Sequence, residues 1–148
     1  MIYKKADTAD LNSLKSVFNN YRMFYEKESD IDGAFAFLSE RIKNKDSEIY
    51  VALSDDKAVI GFVQLYPLFS STRMKKYWLL NDLFVNSEYR GKGIAVQLIE
   101  KAKNLVRKTN ACGMYLETGK TNLIGNNLYP KVGFELYDGT NFYEWTVE

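Results

Sequence analysis

An apolar strand that empties into a glycine loop, which then opens an amphipathic helix, constrains this chain more than any other stretch. Leu79-Leu80-Asn81-Asp82-Leu83-Phe84-Val85 reads as the strand, and Arg90-Gly91-Lys92-Gly93-Ile94-Ala95 as the loop. Ile94, Ala95, Leu98, Ile99, Ala102, Leu105 and Val106 recur at helical spacing and mark the buried stripe of a helix from about Gly91 to Lys108. The N-terminus of a helix leaves backbone N–H groups unpaired and carries the positive end of the helix dipole, which suits it to phosphate. Gly91 and Gly93 would let such a ligand approach the backbone closely.

Composition narrows the chemistry available. The 148 residues are 46% hydrophobic with a net charge of +1, which predicts one globular domain over 1–148 and gives no pull toward nucleic acid. No run of about 18 apolar residues predicts a membrane helix. An acidic Asp7 close behind Met1 argues against a signal peptide, so cytoplasmic residence is the expectation. Histidine is absent and Cys112 is the single cysteine, which excludes a Ser-His-Asp triad, an intrachain disulfide and Cys/His metal sites; no metal is expected. Cys112 heads an apolar run and reads as a structural thiol.

The remaining elements follow from period and punctuation. Met1 to Lys5 reads as a strand, and Leu11, Leu14, Val17, Phe18 and Tyr21 as a helix capped by Asp7 or Thr8. A second helix begins near Asp30 and carries Phe35, Leu38 and Ile42. Glu48 to Leu53 and Ala58 to Tyr66 make a hairpin that Pro67 should end, with Phe69 to Lys76 as a polar loop before the strand Tyr77 to Val85. Met114 to Glu117 is the next strand, and Asn122 to Tyr129 a short helix stopped at Pro130. Gly133 to Tyr137 and Asn141 to Val147 read as a closing hairpin around Asp138-Gly139-Thr140.

Two familiar phosphate motifs fail. Gly119-Lys120-Thr121 lacks the upstream glycine of a P-loop, since position 114 is Met. In the dinucleotide fingerprint, the third glycine after Gly91 and Gly93 would fall at Val96. Arg90 to Ala95 instead resembles the signature of the GNAT superfamily of acyl-CoA N-acyltransferases: Arg or Gln, two residues, Gly, one residue, then Gly or Ala. Asn81 to Val85 is similar to the strand that precedes it in that family. Asn122 to Phe134, with Leu128-Tyr129 and Gly133-Phe134, resembles the family's downstream pattern, with Gly125 where Ala is usual. Leu116-Glu117-Thr118 and Phe142-Tyr143-Glu144-Trp145 are similar to the small-amine and polyamine-type branch.

The resemblance implies an α/β fold: a mixed, largely antiparallel sheet flanked by helices, whose central parallel strands Tyr77–Val85 and Met114–Glu117 splay apart to admit acetyl-CoA as co-substrate. Backbone groups of Leu83, Phe84 and Val85 would pair with the pantetheine arm, and the Val85 N–H would polarise the thioester carbonyl. Amides of Arg90, Gly91, Lys92, Gly93, Ile94 and Ala95 would hold the pyrophosphate, Asn122 would bond the pantetheine arm, and Gly125 would permit its close approach. Tyr129 stands at the family's general-acid position for the thiolate, while Asp82 and Glu117 are candidates for drawing a proton from the amine. Strand alternation would put Asn81 and Asp82 on opposite faces, so that at most one enters the acceptor site.

For the acceptor, Tyr21, Phe24, Tyr25, Glu26 and Glu28, with Tyr143 and Trp145, form an aromatic and acidic set that suits a cationic amine. The expected activity is acetylation of a primary amine on a small molecule, polyamine or amino-acid-like. Peptide or protein acetylation and an idle acyl-CoA sensor stay open beside it, as does a homodimer.

Overall fold

A computed structural model describes residues 1–148, which divide into two compact units, Met1–Glu117 and Thr118–Glu148. The first unit is a five-stranded sheet in the order β1 (Ile2–Lys5), β2 (Glu48–Leu53), β3 (Val59–Ser70), β4 (Lys75–Val85), β5 (Met114–Tyr115). Every neighbouring pair is antiparallel except β4 and β5, which run parallel.

Helices α1 (Leu11–Phe24) and α2 (Ile31–Asn44) bury Leu14, Val17, Phe18, Ala34 and Leu38 against Val51, Phe62 and Phe84 of the sheet. Asp7 accepts from the Ala9 N–H and Asp10 returns the bond to the Asp7 N–H, a reciprocal cap on the turn that leads into α1. Asp30 caps α2 by accepting from the Gly33 N–H, and Asn19 of α1 in turn accepts from the Asp30 N–H. Helix α3 (Ile94–Lys108) packs on β2, β3 and β4 through Ile94, Leu98, Ile99, Ala102 and Leu105. Trp78 of β4 donates its indole N–H to Thr109 just past the end of α3.

Three readings of the sequence are corrected in this unit. Pro67 does not end β3, and the expected loop at 69–76 shrinks to a four-residue turn at 71–74, because β3 and β4 extend as a long hairpin to Ser70 and Lys75. Beyond Leu65, β3 has outrun β2. Trp78, opposite Pro67, sends its N–H to Gly113, so this is a pair without mutual bonds and the nitrogen of Pro67 faces the side with no neighbouring strand. Strand β5 covers only Met114 and Tyr115, not the run to Glu117, and it forms the edge of the sheet rather than its centre. Helix α3 begins at Ile94 because Gly91 and Gly93 take left-handed conformations that a helix cannot include.

The second unit holds α4 (Leu123–Lys131), capped by Asn122. Pro130 lies inside its last turn rather than stopping it. The expected closing hairpin is absent: residues 132–148 form no strand. A two-stranded hairpin alone is marginal in water, so alternation without a ladder to join does not make a sheet.

Candidate active site

The site is organised by one extra residue in β4. Gln64 pairs with Asp82 and Leu65 with Leu80, leaving Asn81 as the inserted residue of a β-bulge. The bulge breaks the alternation on which opposite faces for Asn81 and Asp82 depended, and both side chains line one cleft of about 380 Å³. Phe18 and Arg22 of α1, Gly33, Ala34 and Phe37 of α2, Tyr66 of β3 and Asp30 complete its walls.

Asp82 is buried at the base of this cleft with 4% of its surface exposed. Gln64 donates to one carboxylate oxygen at 2.8 Å and Asn81 to the other at 3.0 Å, while Tyr21 supplies a further hydrogen bond. Gln64 is itself oriented by the Ser47 hydroxyl, which donates to its Oε1 at 2.9 Å. Burial pushes the Asp82 carboxyl above its ordinary value, and the three hydrogen bonds pull against that rise. Burial and the neighbouring Asp82 charge push the Tyr66 phenol up to about 12 and that of Tyr21 higher, so both remain protonated donors. Glu117 is exposed beyond the end of β5 and does not line the cleft.

Immediately downstream, β4 has an open edge. The two pairs with β5 end at Leu79 and Tyr115, so Asn81 to Val85 run on without a strand on that side. The Asn86 N–H donates to Ile60 of β3 at 2.9 Å. Antiparallel alternation then turns Phe84 toward β3 and leaves the N–H groups of Leu83 and Val85 facing the gap. Phe84 contributes its ring rather than a free amide: it packs against Phe24 and Tyr21, with the Arg90 guanidinium 5.2 Å from its centroid. Arg90 also donates Nε–H to the Val85 carbonyl at 2.9 Å, fixing the strand end against the loop.

The loop itself is a concavity of backbone. Gly91 (φ +74°) and Gly93 (φ +77°) are both left-handed, and a Cβ built on either would meet nothing within 4 Å. The first bond of α3 runs from the Gln97 N–H to the Gly93 carbonyl, so the amides of Ile94, Ala95 and Val96 have no partner within the helix. Lys92 reaches back to the Glu88 carbonyl and lies over the Tyr89 ring.

In the second unit, Asn122 spends its side chain locally. Its Oδ1 accepts from the Gly125 N–H and its Nδ2 donates to Thr118 Oγ1 at 2.9 Å. Gly125 is buried, and a Cβ there would come within 2.7 Å of the Asn122 amide and 3.3 Å of the Tyr129 ring, so its smallness already has a cause within the unit. Tyr129 is half-buried and meets Phe134 edge-on, with centroids 5.7 Å apart. Tyr143 and Trp145 are exposed there.

A free-amide loop, an open strand edge and a buried carboxylate coincide with the region that a family model covers. Residues 14–134 match the acetyltransferase (GNAT) family. The chain belongs to that family. An uncharacterized N-acetyltransferase of Bacillus subtilis, YhfO, is 40% identical over 135 residues, covering 91% of this chain and 90% of the relative. A probable acetyltransferase of Haemophilus influenzae is 29% identical, covering 97% and 96%. Among solved structures, a probable acetyltransferase superposes with a TM-score of 0.93 at 34% identity, covering 100% of this chain and 99% of that one. AAC(6')-Iy, solved with a bisubstrate analogue built on CoA, shares the fold with a TM-score of 0.82 at 19% identity, over 99% and 98% of the two chains.

Coenzyme A fits what this GNAT chain presents: amides to receive phosphate, two glycines that leave the approach clear, and an unpaired strand edge for an extended, amide-bearing arm. Acetyl-CoA supplies the activated acyl group as a thioester. The family signature pointed to the loop, but Gln64, Tyr66, Arg22 and Phe37 escaped the sequence reading. A signal existed for Gln64: it is the one polar side chain in the run Val59 to Leu65, and it is fully buried. Phe24, Tyr25, Glu26 and Glu28 lie outside the cleft that was expected to hold them.

Proposed function

We propose that this acetyltransferase moves the acetyl group of acetyl-CoA directly onto a primary amine of a small molecule, polyamine or amino-acid-like, with residues 1–148 working as one domain. The observation that carries the reading is the cleft at the β4 bulge. Its base is a carboxylate, its walls are the rings of Phe18, Phe37 and Tyr66, and it meets the sheet just upstream of the Leu83 and Val85 amides. An alkylammonium is attracted both by the carboxylate and by aromatic faces. Its pKa near 10 means it must lose a proton before it can attack. Asp82, raised by burial, is the better placed of the two candidate carboxylates to receive it, directly or through water. Amides of Leu83, Val85 and of residues 91–95 would hold acetyl-CoA, with the Val85 N–H directed at the thioester carbonyl; the Arg90 N–H is already given to the Ser87 carbonyl at 3.3 Å. Asn122 and Gly125 would flank the pantetheine arm, and Tyr129 would return a proton to the departing thiolate.

Thiol release from acetyl-CoA, followed with a disulfide dye across polyamines, amino acids and N-terminal peptides, tests this. Turnover is expected with small amines and not with peptides. If no amine releases CoA while acetyl-CoA still binds, the chain is a sensor rather than an enzyme for amines; turnover confined to peptides would move the acceptor class.

A further inference from the structure

The cleft at the β4 bulge holds one charge that acetylation of a simple amine leaves without a partner. Arg22, Asp30 and Asp82 bring charge to it. Asp82 lies at its base, and Asp30 is committed to the start of α2, where a carboxylate oxygen accepts the Gly33 N–H at 2.9 Å. Arg22, half-buried on α1, donates from Nη1 to the Glu28 carbonyl at 3.0 Å and forms no ion pair. Arg41 of α2 differs in this respect, since its guanidinium meets both Glu40 and Asp46 at 2.9 Å. A guanidinium carries five N–H donors in a planar fork that matches a carboxylate. Most of the Arg22 fork therefore borders the cleft with no anion of its own chain to hold.

The acidic pole is equally particular. Asn81 donates its Nδ2–H to Asp82 at 3.0 Å, which leaves its Oδ1 as a second acceptor beside the carboxylate. An ammonium group has three N–H donors and suits such a pair. The Phe18 and Phe37 rings, stacked with centroids 5.8 Å apart and 12° between their planes, give the same cleft an apolar wall. Its volume of about 380 Å³ lies near the lower end of the ~300–1,000 Å³ of small-molecule sites, which suits one compact acceptor.

We infer that the acceptor is a free amino acid, whose carboxylate is held by Arg22 while its ammonium meets Asp82 and Asn81 and its apolar body lies on Phe18 and Phe37. The inference rests on the acetylation reading above and narrows its acceptor. A zwitterion gives each pole of the cleft a partner of opposite sign. A polyamine fits worse, because its second ammonium would enter a cleft that already holds the Arg22 cation. A peptide N-terminus also fits worse, since the carboxylate that Arg22 would take has become an amide.

Matched acceptors test the inference: leucine and phenylalanine, each beside its amide and its decarboxylated amine, so that only the carboxylate changes within a series. In thiol release from acetyl-CoA, the acid is expected to have a KM at least about tenfold below its two analogues in one series or both, the lower end of what a hydrogen bond to a charged group contributes. Arg22→Gln should raise the KM of that acid about 10–100-fold and bring the series within about threefold, and Arg22→Lys, which keeps the charge without the fork, should restore part of the preference. A merely structural Arg22 would instead move all members of a series together. Calorimetric titration of the same compounds into the CoA-bound protein reads the cleft without turnover. Tighter binding of the acid there, with no transfer, would refute acetylation of amines and keep Arg22 as the carboxylate site. Equal binding across both series, or tighter binding of spermidine than of either acid, overturns the inference whether or not transfer occurs. Should Arg22→Gln fail to fold, the wild-type comparison decides alone.

Discussion

Gly93→Ala separates a phosphate cradle from a mere turn, because the two readings assign the glycine different costs. Gly93 sits at φ 77°, ψ 8° in the left-handed region. A Cβ there costs roughly 1–2 kcal/mol of backbone strain. In a chain of this size, each kcal/mol lowers Tm by about 2–4 °C, so a fall of roughly 2–8 °C is expected. Against a typical stability of 5–15 kcal/mol, the protein remains folded at 25 °C. The added methyl meets no protein atom within 4 Å, so it clashes with nothing of its own chain. Any loss of acetyl-CoA affinity must then come from what stands over the loop. Displacing two charge-assisted hydrogen bonds at about 1.5–3 kcal/mol each weakens Kd by roughly 10²–10⁴-fold. Calorimetric titration and a thermal melt on the same preparation read both effects. A Tm that falls as expected while Kd stays within about threefold of wild type would refute the cradle and leave only the turn. Gly93→Glu, which adds a negative charge at the same point, should abolish binding in the same titration.

Asp82→Asn tests the buried carboxylate in two ways. Burial holds the folded pKa of Asp82 above its unfolded value of 3.8, so this group favours the fold fully below pH 3.8 and loses that contribution as pH rises through the folded value. The variant should therefore melt higher than wild type at pH 7, with the gain disappearing below about pH 4 in melts across pH. Its kcat should fall by about 10²–10⁴-fold, as for loss of a proton acceptor, with acetyl-CoA affinity kept. The Tyr21 hydrogen bond lowers the Asp82 pKa, so Tyr21→Phe should move the acidic limb of the pH–rate profile to higher pH; an unmoved limb would remove Asp82 from the role of base. Tyr129→Phe should slow single-turnover acetyl transfer by at least about 10²-fold without altering acetyl-CoA binding, and an unchanged rate would return Tyr129 to packing against Phe134.

Which parts of the fold could be read in advance follows from what each element depends on. The α3 stripe and the Asp7 cap are local, settled by period and by capping residues a few positions apart: the stripe holds from Ile94 onward, and Asp7 caps the short turn Thr8–Asp10 that leads into α1 rather than α1 itself. Pro67 misled because its meaning depends on how far a neighbouring strand reaches, and β2 stops before it. The tail misled for the same reason in reverse. Its alternation is real, but a strand needs a partner edge, and residues 132–148 have none in their own unit. Asn81 is the extreme case, since no property of an asparagine reveals that it will be the residue left over when two strands fix their register.

The site divides along the same line. The donor half we propose is made of backbone: free amides at the start of α3, glycines at positive φ, and the N–H groups of Leu83 and Val85. Backbone devices demand particular residues at fixed short spacings, which is why Arg90 to Ala95 carries a recognisable pattern. The proposed acceptor half is a cleft of side chains from α1, α2, β3 and β4, where a bulge places Asp82 beside Tyr66 and Phe18. Such a cleft has no spacing of its own. Its one internal trace is Gln64, a buried amide whose cost is met by accepting from Ser47 and donating to Asp82. Gln64→Leu would break this chain of donors, leaving Asp82 with one fewer hydrogen bond and a higher pKa, and should raise the pH at which activity is lost without touching acetyl-CoA affinity. If Gln64→Leu instead weakens acetyl-CoA binding and leaves the pH profile alone, the division of the site into a backbone half and a side-chain half is wrong.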